Sequence, residues 1–272
     1  MSRRGDASEL PTQDDVVGAL LPAILDLAAS GRVAVALGGS RAKRLADARS
    51  DYDFRVYADA FRGSDLMQTP QWARFRNAWT ALEQRGVRID GTWPRTIGEI
   101  DDRLARWQQG ELAVIDYEWT VWGYHLPTDI AHQQPIADPD GVLAGWRAQL
   151  ATYPEPLRQA VLRHFGGQLR YWRDDYHYAS KVERADLVFL AGLTSKLIHA
   201  VLQVLFALNR RYFVGDGWNL RAAADFALRP EDLDARIASI LDPGAGPDRL
   251  TRQYQQLQSL IDDVLALASR AG

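Results

Sequence analysis

The chain has 272 residues, 47% of them hydrophobic and 25% charged, with a net charge of −3 and no cysteine. That allows one large domain or two small ones with real cores, and a weakly acidic chain without a long basic run argues against broad nucleic-acid binding through a cationic face. Without cysteine there is no disulfide framework, thiolate metal site or thiol nucleophile, which suits a reducing cytoplasm. The first residues, Met1-Ser-Arg-Arg-Gly-Asp6, lead into an amphipathic segment and not the apolar core of a signal peptide. Thr12-Gln-Asp-Asp15 reads as a capping box with Asp in place of the usual Glu, opening a helix over 16–29 that Gly31 stops. Residues 33–37 are apolar and β-branched enough for a short buried strand. It runs into Gly38-Gly39-Ser40, where missing side chains let backbone N–H groups turn toward a ligand. Ser40 suits the N-cap of a short polar helix, whose start is a place for phosphate.

The next segment, Asp51-Tyr-Asp-Phe-Arg-Val-Tyr57, alternates with the period of a strand. Asp51, Asp53 and Arg55 share one face, and Tyr52, Phe54 and Val56 the other. Two carboxylates two residues apart on one face are poor neighbours unless a cation lies between them, so the pair points to Mg²⁺. Strand, Gly39-Ser40-Arg41-Ala42, a spacer of about ten residues and Ser50-Asp51-Tyr52-Asp53 together resemble the nucleotidyltransferase superfamily typified by DNA polymerase beta. The wording is similar to the small bacterial members, antibiotic nucleotidyltransferases among them. The resemblance implies that the Gly-Ser turn holds the triphosphate and the Asp pair holds metal.

Residues 58–70 form a polar connection without a clear period. A helix over 71–84 follows through Trp72, Phe75, Trp79 and Leu82, ended by Gly86, and then a strand over 87–93. In the superfamily a third carboxylate sits on a strand beside the Asp-x-Asp strand, after an intervening helix. Asp90 matches by order, by alternation with Ile89 and by the preceding helix. Asp116 and Glu118 compete for the place, although residues 117–124 also read as helical, as do 100–108. Residues 135–137 suggest an edge strand, and Asp138-Pro-Asp-Gly141 is a turn signal whose carboxylates read as turn residues.

A helix over 142–150 and the break at Tyr153-Pro-Glu-Pro156 place a domain boundary, giving 1–152 and 153–272. The reading is α+β: an N-terminal nucleotidyltransferase domain with a small mixed sheet, then an all-α bundle. In the second domain, 157–178 reads as one helix and 183–213 as another. The latter carries a stripe through Leu190, Leu193, Leu197, Val201 and Leu205. Lys196, His199, Gln203 and Arg210 fall within about one quadrant of its other side at roughly 100° per residue. That polar side faces either a cleft, where Lys196 and Arg210 would meet phosphate, or solvent. The wording Leu205-Phe-Ala-Leu-Asn-Arg-Arg-Tyr-Phe213 is similar to the helical C-terminal domain of some bacterial nucleotidyltransferases of unassigned substrate. Further helices follow 225, interrupted by Pro230 and Asp242-Pro-Gly-Ala-Gly-Pro247, and the last covers 248–270. The five histidines have no metal-site spacing, which argues against zinc. The most apolar stretch, 187–208, is interrupted by Lys196 and His199, so no membrane span is expected and the chain reads as cytoplasmic.

The function the resemblance implies is Mg²⁺-dependent transfer of a nucleoside monophosphate from an NTP, with ATP the favoured donor, to an acceptor hydroxyl, releasing pyrophosphate. Asp51, Asp53 and Asp90 would hold two metals roughly 3.5–4 Å apart, and Asp90 would also take the acceptor proton. Gly39 and Ser40 would cradle phosphates, and Arg55 would offset developing charge or fix the carboxylates. The acceptor is a small molecule or a protein side chain. The alternative is a non-catalytic module that binds nucleotide or a partner on the same fold.

Overall fold

The computed structural model describes residues 10–42, 46–47, 50–112, 120–215 and 217–271. The chain forms two compact units, one of Met1–Leu104 with Asp129–Thr152, the other of Ala105–Thr128 with Tyr153–Gly272. Residues 105–112 and 120–128, expected from the sequence in the first domain, therefore fold with the second unit.

The first unit is built on a four-stranded sheet of order β3-β2-β1-β4, from β1 (Ala28–Leu37), β2 (Tyr52–Phe61), β3 (Ile89–Thr96) and β4 (Gln134–Ala137). β1 is antiparallel to both β2 and β4, whereas β2 and β3 are parallel. The sheet is thus small and mixed. Its first helix, α1 (Gln13–Leu25), opens on the expected capping box, with Asp15 N–H donating to Thr12 Oγ1 at 3.2 Å and Thr12 N–H to Asp15 at 2.9 Å. It ends at Leu25 and not near Ala29, and β1 takes up the following residues. Gly31, expected to stop the helix, lies inside β1 at φ +84°, in a stretch where the register with β2 shifts. Only glycine fits there, because a Cβ would come within 2.6 Å of Asp59.

Val16, Leu20 and Ile24 of α1, four residues apart, bury one stripe of that helix against Val35 and Leu37 of β1 and Tyr52, Phe54 and Val56 of β2. Phe75 and Leu82 of α3 close the same core, a helix over Pro70–Glu83 capped by Thr69, whose hydroxyl accepts from Trp72 N–H at 3.1 Å. A fully buried Phe54 contributes roughly 2–3 kcal/mol by removing its ring from water. Because alternate residues point oppositely, placing Tyr52, Phe54 and Val56 in this core sends Asp53, Arg55 and Tyr57 to the other face. That face is lined by α5 (Leu126–His132), which the sequence reading lacks, and by α6 (Val142–Leu150), whose Trp146 meets Tyr57 edge-on at 4.8 Å.

In the second unit the single helix expected over 157–178 is two, α7 (Glu155–Asp174) and α8 (Tyr176–Glu183). Asp175 makes the break by adopting an extended conformation and capping α8, its carboxylate accepting from His177 N–H at 2.7 Å. α9 (Leu187–Leu208) is the central helix, shorter than the expected 183–213, with 14 of its 22 residues buried. α10 (Asn219–Ala222), α11 (Leu233–Leu241) and α12 (Arg249–Ala271) follow, and α12 packs Leu257, Leu260, Ile261 and Val264 into the shared core. Among the described residues α9 is the one helix long and apolar enough to cross a membrane, and its burial in the protein accounts for that composition. Residues 120–124 are not helical, and 117–119 of the same expected helix lie outside the described residues.

Candidate active site

At the end of β1 the chain turns through Gly38 and Gly39 into α2 (Gly39–Ala42). Gly38 N–H donates to Asp53 O at 2.8 Å, which docks the turn on the start of β2. Gly39 sits at φ +59°, and a Cβ there would overlap Asp53 Oδ2. A Cβ on Gly38 would come within 2.8 Å of the Arg55 guanidinium carbon. The two glycines therefore let two charged side chains of β2 lie directly against the turn. Arg41 locks this entry from outside: it donates to Ser50 O at 2.7 Å and Asp51 O at 2.8 Å, with its guanidinium 3.7 Å from the Tyr52 ring centre. Nothing local in the Gly39-Ser40-Arg41-Ala42 motif announces this role for Arg41.

Asp90, the expected third carboxylate, lies at a bulge. Tyr52 pairs with Ile89 and Asp53 with Gly91, so Asp90 is the extra residue of β3. It is exposed, while Asp51 and Asp53 are half-buried. Burial pushes Asp53 up to about 6; Arg55 opposes this, and the neighbouring charges of Asp51 and Asp90 with a hydrogen bond to Asp90 add to it. Asp51 and Asp90 are thus electrostatic neighbours of Asp53. Among the described residues, no group of three acidic, His or Cys side chains is drawn up as a ready-made metal cluster. What the site offers a cation is the charge environment: an all-oxygen donor set with a partly buried carboxylate that two others disfavour. In that sense the residues fit Mg²⁺. The competing Asp116 and Glu118 lie outside the described residues.

Arg55 is 6% exposed, with Nε donating to Asp129 Oδ2 at 2.9 Å and Nη1 3.8 Å from Asp53 Oδ1. Of the two roles expected for it, this geometry favours holding carboxylates in place. Asp129, on α5, also accepts from Gln133 Nε2 at 2.9 Å, and the same nitrogen lies 2.7 Å from the Tyr57 hydroxyl. A buried chain of hydrogen bonds thus runs from Tyr57 through Gln133 and Asp129 to Arg55, which makes a longer ion pair with Asp53. Asp129 and Gln133 are missed by sequence reasoning, because they sit 74 and 76 residues from their partners, one in α5 and one just after it, in a stretch with no motif of its own. Beside the turn, an open cleft of about 1040 Å³, solvent included, is lined by Ala42, His132, Gln133, Gln134 and Arg147.

The remaining expected nucleotide contacts lie in the second unit. Lys196 is exposed on α9. Arg210 does not share a helical quadrant with it: it lies beyond the end of α9 at φ +54°. Its Nη2 is 2.8 Å from Glu155, which Gln159, Arg158 and Arg210 hold at about 2. His199 and Gln203 are packed among aromatic rings.

A family described as a domain of unknown function (DUF4037) matches residues 129–219, which include Asp129 and Gln133 of the candidate site and all of α7 to α9. No curated protein matches the chain.

Proposed function

We propose that the chain is a Mg²⁺-dependent nucleotidyltransferase, moving a nucleoside monophosphate from an NTP, with ATP the first donor to test, to an acceptor hydroxyl with release of pyrophosphate. On this reading the first unit is the nucleotidyltransferase domain and the second its helical companion. The observation that carries it is the contact of the Gly38-Gly39 turn with Asp53, beside Asp51 and Asp90. A phosphate-cradling turn and a carboxylate cluster have separate uses, but a phosphoryl-transfer site needs them in contact.

Asp51, Asp53 and Asp90 would hold the cation, which when bound neutralises the triphosphate and aligns the attacking and leaving oxygens. The backbone N–H groups of Gly39 and Ser40 bind the β- and γ-phosphates. Arg55, itself fixed by Asp129, holds Asp53 in position. The acceptor oxygen bonds to the α-phosphorus as the bond from that phosphorus to the bridging oxygen breaks. The acceptor's proton passes to Asp90, exposed at the bulge, and from there to water. The open cleft beside Ala42 and Gln133 gives the acceptor room.

The second reading, a nucleotide- or partner-binding module without turnover, is favoured by the lack of a ready-made cation cluster among the described residues. Incubation with each NTP labelled at the α-phosphate, Mg²⁺ and a cell lysate separates the two. Label in a small molecule or protein, with matching pyrophosphate, supports transfer. Saturable NTP binding without either product supports the module and overturns the enzyme.

A further inference from the structure

The second unit carries a small pocket built wholly from its own residues, with a cavity volume of about 50 Å³ and a mouth partly open to solvent. Nearly half of its lining residues carry aromatic rings, among them Trp107, Tyr153, Phe165, Tyr212 and Phe213, and aliphatic Leu112, Leu157 and Val161 complete the apolar wall. Tyr153 and Tyr212 meet at 4.9 Å between centroids, and burial raises both phenols, Tyr212 to about 12, so neither ionises near neutral pH. The carboxylate in the lining, Glu111, accepts from Arg106 Nε at 2.7 Å, which offsets its charge. A charged ligand would find no counter-charge in those rings and would have to shed its water.

One buried polar group stands out. Gln203 is 5% exposed, inside the run Val201–Leu208 of α9 where every other side chain is apolar and buried. Its Nε2 lies 3.0 Å from His199 Nε2. His199 is itself held, stacked on Trp122 at 5.1 Å and 3°, with Phe165 and Phe213 at 5.4 and 5.2 Å. An amide nitrogen only donates, so His199 Nε2 accepts in this contact. The amide is therefore oriented, and its acceptor end, Oε1, is left to the pocket that Gln203 lines. A polar side chain on such a helix is costly to bury unless something satisfies it.

We propose that this pocket binds an uncharged aromatic small molecule carrying one hydrogen-bond donor, its ring among Tyr153, Phe165 and Phe213 and its O–H or N–H on Gln203 Oε1. The proposal stands apart from nucleotidyl transfer and needs none of its residues.

Calorimetric titration of the full chain with 2-naphthol, 2-methoxynaphthalene and naphthalene-2-sulfonate tests it. The expected result is one saturable site, with 2-naphthol binding about tenfold tighter than its methyl ether, which lacks the donor, and the sulfonate weakest. Gln203→Leu should make 2-naphthol and the ether equal. Leu112→Trp, at a half-buried position of the lining, should fill the pocket and weaken all binding while the circular dichroism stays that of wild type. No saturable binding of 2-naphthol overturns the pocket, and so does binding indifferent to Leu112→Trp. A preference for 2-naphthol that survives Gln203→Leu removes the anchor, and sulfonate binding as tightly as 2-naphthol removes the ligand class. Should Gln203→Leu fail to fold, equal wild-type affinities for 2-naphthol and the ether overturn the anchor by themselves.

Discussion

Asp53→Asn should make the metal-free protein more stable. In the folded chain the Asp53 carboxyl titrates at about 6, against 3.8 in its unfolded reference, chiefly because it is buried. The folded state therefore holds a proton that the unfolded state releases. Its contribution is fully present below about pH 4 and is lost as pH rises through about 6, so ionisation costs stability on the alkaline side. Two pKa units correspond to about 3 kcal/mol at pH 7, and with the side chain 14% exposed the discount for solvent screening is small. The attraction of Arg55 at 3.8 Å is already included in that net value. Asn keeps the shape and cannot ionise, so in EDTA at pH 7 the variant should melt roughly 6–12 °C above wild type, at about 2–4 °C per kcal/mol. Wild type alone should lose stability between pH 4 and 7, and wild type alone should regain it with millimolar Mg²⁺. Thermal melts of both proteins at pH 4, 5, 6 and 7, with EDTA or Mg²⁺, decide the matter. A variant no more stable than wild type at pH 7, together with a flat wild-type profile, would refute the charge account of the site. Equal stabilisation of both proteins by Mg²⁺ would refute the cation assignment.

Gly39→Ala should destabilise by about 2 kcal/mol or more in urea melts, since an L-residue at φ +59° is strained and its Cβ displaces Asp53; an unchanged midpoint would mean the turn does not press on Asp53. Asp129→Ala removes a hydrogen-bonded partner of buried Arg55 and should cost about 3 kcal/mol, measured the same way. A loss below about 0.5 kcal/mol, the range of ordinary surface positions, would refute the buried network. Asp90→Asn should lower nucleotidyl transfer by on the order of 10²-fold, the loss expected for a general base, with little change in melting because the residue is exposed. Near-wild-type turnover would move the base elsewhere.

Local signals in the sequence settle much of the first unit. The Thr12-Asp15 capping box and the Thr69 cap each act over three residues and are visible wherever the chain goes. Alternation in 51–57 fixes which side chains share a face, because a strand's period does not depend on its partners. The glycines at 38 and 39 announce a close approach, though what approaches is decided only when β1 lies antiparallel to β2 and brings Asp53 and Arg55 against them.

Tertiary structure decides everything that depends on distant segments meeting. Gly31 looks the same in sequence as a helix stop and as a strand bulge, and pairing of β1 with β2 selects the bulge. Asp90 comes to neighbour Asp53 where β3 gains one residue against β2, a register property. Arg55 is an exposed-looking charge until Asp129, 74 residues on, pairs with it in the interior. The polar residues of α9 divide in the same way: periodicity groups Lys196, His199, Gln203 and Arg210, yet the helix ends at Leu208, Arg210 joins Glu155, and aromatic residues from elsewhere in the chain enclose His199 and Gln203. Sequence specifies what each short stretch prefers, over the few residues that backbone hydrogen bonds and side-chain periods span. Which charge is buried, and beside what, follows only from packing the whole chain.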